Sequence, residues 1–224
     1  MIEIVKKNKN YVFVNKPYGM PSQSDPSADL DAMSACSELL KSAGEPSDLW
    51  LIHRLDRVVG GLLIFARNRR YAAILSEAVA SRGFEKHYYA VVSGEASEGR
   101  LENYIYKDAA KSKAFVVDRE RKGVKDAILE YKTIEVVRVG DKTFSLLDVY
   151  PITGRFHQIR AQLSYIGLPI VGDGKYGSGL KCETGIALFA HSVSFPKQSI
   201  SAKILPDRAS FPWNCFKAFT EEKI

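Results

Sequence analysis

The stretch LIHRLDRVVGGLLIFARN, from Leu51 to Asn68, constrains the fold most. One carboxylate, Asp56, sits among His53, Arg54 and Arg57, and an apolar run follows at once. A surface loop has no need of the apolar run, and a core strand does not tolerate the charges. A site at the mouth of a buried strand requires both. GLLIFA therefore reads as a buried strand led in by a charged loop. Asn68 then offers an N-cap for a helix over residues 69–81, with Gly83 as its stop and Ile74, Leu75, Ala78 and Val79 as its apolar face.

The same reasoning extends along the chain. YVFVN (Tyr11 to Asn15) reads as a short strand ended by Lys16-Pro17-Tyr18-Gly19. A turn-rich segment leads into a helix from Leu30 to Ser42, stopped near Gly44 and Pro46. HYYAVVSG is a second strand. Residues 100–139 alternate and break at Gly and charged turns, as antiparallel strands do. Gly140-Asp141 is a hairpin turn into TFSLLDVYP. TGRFHQIRAQLSYIG reads as a helix capped by Thr153 and ended by Gly167, burying Ile159, Leu163 and Ile166. IALFAHSVSF is a late strand, and FPWNCFKAF in the tail is a packing segment. The total is one compact domain over 1–224, mixed in helix and strand, with mostly antiparallel connections.

The chain has 224 residues, 46% of them hydrophobic, enough for a sizeable core. No apolar run is long enough to span a bilayer, and the N-terminus lacks a signal-peptide pattern, so a soluble cytoplasmic protein is expected. Cys36, Cys182 and Cys215 are widely spaced, which argues against a disulfide framework. His53, His87, His157 and His191 form no HxxxH pair and offer no close thiolate partner, so the spacing gives a metal site little support. The net charge of +6 favours a polyanionic partner.

Three stretches can carry chemistry, and each has an ordinary structural reading. Asp56 among three basic residues can be an ionised nucleophile or base, or one end of a structural ion pair. On a helix, His157 and Arg160 share a face with Arg155 near its start; that face can pair with carboxylate or phosphate, or simply be solvated. In FEKHYYAVVSGE the adjacent Tyr88 and Tyr89 point to opposite faces of a strand, one to the core and one to a pocket.

Taken together, HRLDRVVGGLLIFAR, KHYYAVVSG and TGRFHQIRAQLSYIGLPIVGDGKYG resemble the RluA-like RNA pseudouridine synthases in order and spacing. NKPYGMP resembles the lysine-proline-glycine segment of that family, and IALFAHSVSF its late strand. The resemblance covers about residues 11 to 196. It implies an α+β fold, a single pseudouridine synthase catalytic domain with a mixed, mainly antiparallel central sheet flanked by helices. It implies isomerisation of uridine to pseudouridine in ribosomal or transfer RNA, without cofactor or metal. Asp56 takes the catalytic role. Tyr88 stacks on the uracil, with Lys86 and Ala90 completing its motif, and Tyr89 faces the core. Arg160 pairs with Asp56. Arg54 helps displace the target base, and His53, Arg57, Arg155, His157 and Gln158 complete the RNA-binding motifs.

One departure stands out. Many members carry Thr-Ser where this chain has Val59-Gly60, so fine positioning differs. About ten residues precede the first expected strand, too few for an S4 RNA-binding module, so the catalytic domain itself is expected to grip RNA. Lys111, Lys113, Arg119, Arg121, Lys122 and Lys125 are candidates for that grip, or else a solvated hairpin. A monomer is expected. The alternatives are a non-catalytic RNA-binding protein on the same scaffold and a glycosidase-like hydrolase, which lacks an evident second carboxylate.

Overall fold

β2 (Tyr11–Lys16) anchors the first of two compact units. Its apolar, mostly β-branched or aromatic residues suit a strand enclosed on both faces, and Val12, Phe13 and Val14 have no solvent exposure. The computed structural model describes residues 2–219. The first unit comprises Met1–Lys86 and Phe189–Pro206, the second His87–Leu188 and Asp207–Ile224.

In the first unit, β2 pairs antiparallel with β1 (Glu3–Lys7) on one side and with β4 (Gly60–Ala66) on the other. The two-residue β3 (Trp50–Leu51) also pairs with β4. β10 (Leu188–Phe195) joins β4 in parallel and is followed antiparallel by β11 (Ile200–Lys203). That parallel pair makes the topology mixed. The expected GLLIFA strand is β4, buried at every position. β1 and β11, by contrast, were not legible in the sequence: EIVKK and ISAK carry no period that separates them from loop.

α1 (Ala32–Ser42) begins two residues after the expected start because Asp31 is its cap: its carboxylate accepts from the Ser34 N–H at 3.0 Å. α2 (Arg69–Ala80) starts where Asn68 predicted, with the Asn68 side-chain Oδ1 accepting from the Tyr71 N–H at 2.9 Å. Leu75 and Ala78 of α2 join Tyr11, Phe13, Leu62, Ile64 and Phe195 in the core of this unit.

In the second unit the strands run in the order β5 (Glu85–Ser93), β9 (Lys142–Pro151), β8 (Val124–Val139), β6 (Gly99–Asp108) and β7 (Lys113–Val117), all antiparallel. The β8–β9 turn falls at Gly140-Asp141 as expected, with Gly140 at φ 63°. α3 (Gln158–Tyr165) lies on this sheet, and its Ala161 packs with Ile105, Ala114, Ala127 and Tyr176.

The expected Thr153-capped helix is corrected here. The helix starts four residues later, and Ile166 lies past its end and is 36% exposed. The Thr153 hydroxyl donates to Gln158 Oε1 at 2.8 Å and accepts from the Ile128 N–H at 2.9 Å, which ties residues 153–157 to β8 instead of opening a helix. In the tail, Trp213, Phe216 and Phe219 are buried as a packing segment should be; Thr220 onward lies outside the described residues.

Candidate active site

The Asp56 loop is held by backbone groups, and the residues that hold it come from NKPYGMPS. Lys16 ends β2 with no solvent exposure. Its ammonium donates to the carbonyls of Met20 at 2.8 Å, Pro17 at 3.0 Å and Arg57 at 3.3 Å. The Gly19 N–H also donates to the Arg57 carbonyl, at 2.8 Å. Ser22 Oγ donates to the Leu55 carbonyl at 2.9 Å and accepts from the Leu55 N–H at 3.0 Å. The Val59 N–H closes a turn on the Asp56 carbonyl at 3.0 Å. The backbone on both sides of Asp56 is thus pinned, and the carboxylate itself is half-buried.

Burial lowers the Lys16 pKa to about 7, opposed by the Asp56 charge and reinforced by Arg57. Lys16 and Asp56 are therefore electrostatically coupled, a link that sequence reading missed. The signal was present: a lysine closing the otherwise apolar YVFVN run must find partners if it is buried.

The basic neighbours of Asp56 divide by environment. Arg54 is exposed. Arg57 is exposed, pairs with Asp29 and donates to Ser27 Oγ at 3.1 Å. This pairing, with the Ser27 hydroxyl, holds the Asp29 carboxyl below its usual range. His53 does not meet the expectation of an RNA contact. Both its ring nitrogens are closed off and without a partner among the described residues, and its ring lies 4.9 Å from that of Phe84. Burial, and then the charge of Lys86, lower its pKa to about 3. It is a neutral packing group.

The Val59-Gly60 departure has a local counterpart. A Cβ on Gly60 would stand 2.9 Å from Cε2 of Tyr18, so the ring of Tyr18 occupies the room a serine there would need. Next to it, Gly61 takes φ +114°, and a Cβ there would meet the Ala190 carbonyl oxygen at 2.3 Å. Only glycine lets β4 approach β10 this closely.

In the second unit, β5 carries Tyr88, buried at 7% exposure opposite Val149. Tyr89 is half-buried, with its ring edge-on to Phe219 at 5.2 Å. Burial and then Asp148 raise its hydroxyl pKa.

Arg160, 5% exposed, donates from Nε and Nη2 to the two carboxylate oxygens of Asp173 at 2.6 and 2.9 Å. Its guanidinium also lies 4.9 Å from the Tyr176 ring centroid. Asp173 and Tyr176 come from the GDGKYG run, whose residue types alone point to no role. His157 is forced into the left-handed region at φ 53°, stacks on Phe156 at 3.8 Å and meets the Tyr176 hydroxyl through Nδ1 at 2.9 Å. Burial first, then Arg160 and Lys175, lower its pKa to about 3, so the ring is neutral.

Gln158 also departs from the RNA-contact expectation. It is 4% exposed, and its amide bonds Thr153, the Arg155 N–H and the Ile128 carbonyl within the unit. It shapes the Gly154–His157 turn. Arg155 stays at the surface edge, half-buried, and is paired with Asp126 at 2.6 Å.

A sequence model of the family described as RNA pseudouridylate synthase matches residues 10–165. The chain is 31% identical over 191 residues to the ribosomal large subunit pseudouridine synthase C of Rickettsia bellii, covering 84% of this chain and 61% of that protein. It is 31% identical to the tRNA pseudouridine synthase C of Vibrio vulnificus, covering 80% of this chain and 75% of that one. The chain thus spans about three fifths of the length of the first of these. In fold it is similar to human RNA pseudouridylate synthase domain containing 4, with a TM-score of 0.75, 24% identity, and 91% and 88% of the two chains covered. The expected α+β fold agrees with this likeness, and the HRLD, KHYY and GRFHQIR pieces lie inside the matched span: the chain belongs to the RNA pseudouridylate synthase family.

Proposed function

We propose that the protein isomerises uridine to pseudouridine in structured ribosomal or transfer RNA. The observation that carries the reading is the Asp56 loop, pinned on both sides by Lys16, Ser22 and Gly19 in a chain of this family. A loop that only bound RNA would have no use for a fixed carboxylate beside an anionic ligand.

In the reaction the N1–C1′ bond breaks, the uracil turns, C5 joins C1′ and the C5 proton leaves. The base must first leave its stack. Asp56 serves as nucleophile at the sugar or as base toward a sugar proton, and either role requires an ionised, poorly hydrated carboxylate. Arg160 supplies the positive charge of the HQIR motif, Tyr88 stacks on the uracil, and Arg54 takes the place of the displaced base. Arg57 and Arg155 hold phosphates, with the shape of their loops set by His53, His157 and Gln158. We infer a cytoplasmic monomer, since that is where this substrate class is met.

The test is tritium release from RNA labelled at uracil C5, with Asp56→Asn beside the parent. Release that vanishes in the variant while RNA affinity holds supports the reading. Equal loss of affinity and turnover, or no release from ribosomal and transfer RNA by the parent, points to a non-catalytic RNA-binding protein.

A further inference from the structure

The sheet of the second unit has an outward face that the reaction does not use. Directly opposed residues on neighbouring strands share a face. Tyr106 opposes Phe115 on β7 and Val124 on β8, and Tyr104 opposes Val117 and Asp126. Strand alternation turns these side chains away from the core that Ile105, Ala114 and Ala127 form with α3. Tyr106 is 37% exposed, while Tyr104 and Phe115 are half-buried.

Cations surround these rings. Lys113 and Lys111 lie 5.4 and 5.9 Å from the Phe115 centroid, and Arg121 lies 5.8 Å from that of Tyr106. From Lys107 to Lys125 there are seven basic residues against three acidic, an excess of four out of the chain's net +6. A merely solvated hairpin would turn polar side chains outward. This one turns out aromatic rings and concentrates the positive charge beside them.

Exposed π-faces among cations suit a polyanion whose bases are free to stack. A duplex keeps its base faces covered, and an acidic peptide leaves the rings unused. We propose that the outward face of β6, β7 and β8, centred on Tyr106 and Phe115, docks a single-stranded segment of the RNA substrate. The bases stack on the rings, and Lys111 and Arg121 take phosphates. The proposal rests on RNA being the substrate.

The test is fluorescence anisotropy with a labelled single strand of about 12 nucleotides and a blunt RNA duplex, read across salt concentration. Tyr106→Ala is expected to weaken the single strand about tenfold and leave the duplex unchanged, while Tyr106→Phe keeps parental affinity. The double variant Lys111→Glu with Arg121→Glu is expected to lower the slope of log K against log salt by about 1.4 for two lost phosphate contacts. These positions are exposed, and unchanged urea midpoints confirm folding. Unchanged single-strand affinity in Tyr106→Ala, or an unchanged slope in the double variant, overturns the proposal. So does equal displacement of the RNA by a polyglutamate peptide. Binding is read without turnover: a parent that binds as described but releases no tritium refutes the synthase reading and leaves this surface standing.

Discussion

Asp173 grips the Arg160 guanidinium with both carboxylate oxygens, at 2.6 and 2.9 Å, and the two residues are 1% and 5% exposed. The pair orients the arginine of the HQIR motif from thirteen residues further along the chain. Removing one member of a buried pair strands the other charge. Asp173→Asn is therefore expected to lose about 3–5 kcal/mol of stability, seen as a lowered urea midpoint. It should also lower kcat for tritium release more than it changes KM. An unshifted midpoint would mean that the pair does not hold Arg160.

Lys16 links stability to pH. Its folded pKa is about 7, against 10.5 for a free lysine. Between those values the unfolded chain binds the proton that the folded chain has released, so stability rises with pH across that window. The stabilisation is complete above the unfolded value and is lost as pH falls through the folded one. Parent and Lys16→Met are to be compared by urea unfolding from pH 6 to 10. The parent midpoint should climb relative to that of the variant. Parallel curves would show that Lys16 does not titrate in this range.

Gly60 and Tyr18 should behave as a coupled pair. Gly60→Ser forces the Tyr18 ring to move, at an expected cost of about 1–3 kcal/mol. In a double-mutant cycle with Tyr18→Ala much of that cost should disappear. Gly61→Ala is expected to be worse, because its Cβ meets the backbone of Ala190 and the strand has no room to yield. Additive costs for Gly60→Ser and Tyr18→Ala would refute the coupling.

His53 should be tolerant of substitution. Its ring nitrogens have no partner among the described residues, so a phenyl ring loses no hydrogen bond there. His53→Phe is expected to stay within about 1 kcal/mol of the parent in stability and within twofold in RNA affinity. With a pKa of about 3, the group also adds no step to the activity profile between about pH 5 and 8. A large loss of RNA affinity at constant stability would return His53 to the binding surface.

The sequence by itself determined what depends on neighbouring residues. Asn68 marked α2 because a cap acts on N–H groups within a turn of it. GLLIFA and YVFVN marked strands because a run of apolar residues needs burial whatever surrounds it. The HRLD, KHYY and GRFHQIR pieces located Asp56, Tyr88 and Arg160 along the chain. Tertiary structure decided what those residues touch. It gave Lys16 three carbonyls to hold, closed the His53 ring nitrogens away from water, tied Thr153 to β8 instead of to a helix, and set Asp173 on Arg160. Burial and partner choice are set by segments distant in sequence, and no local pattern of residue types encodes which distant segment will arrive.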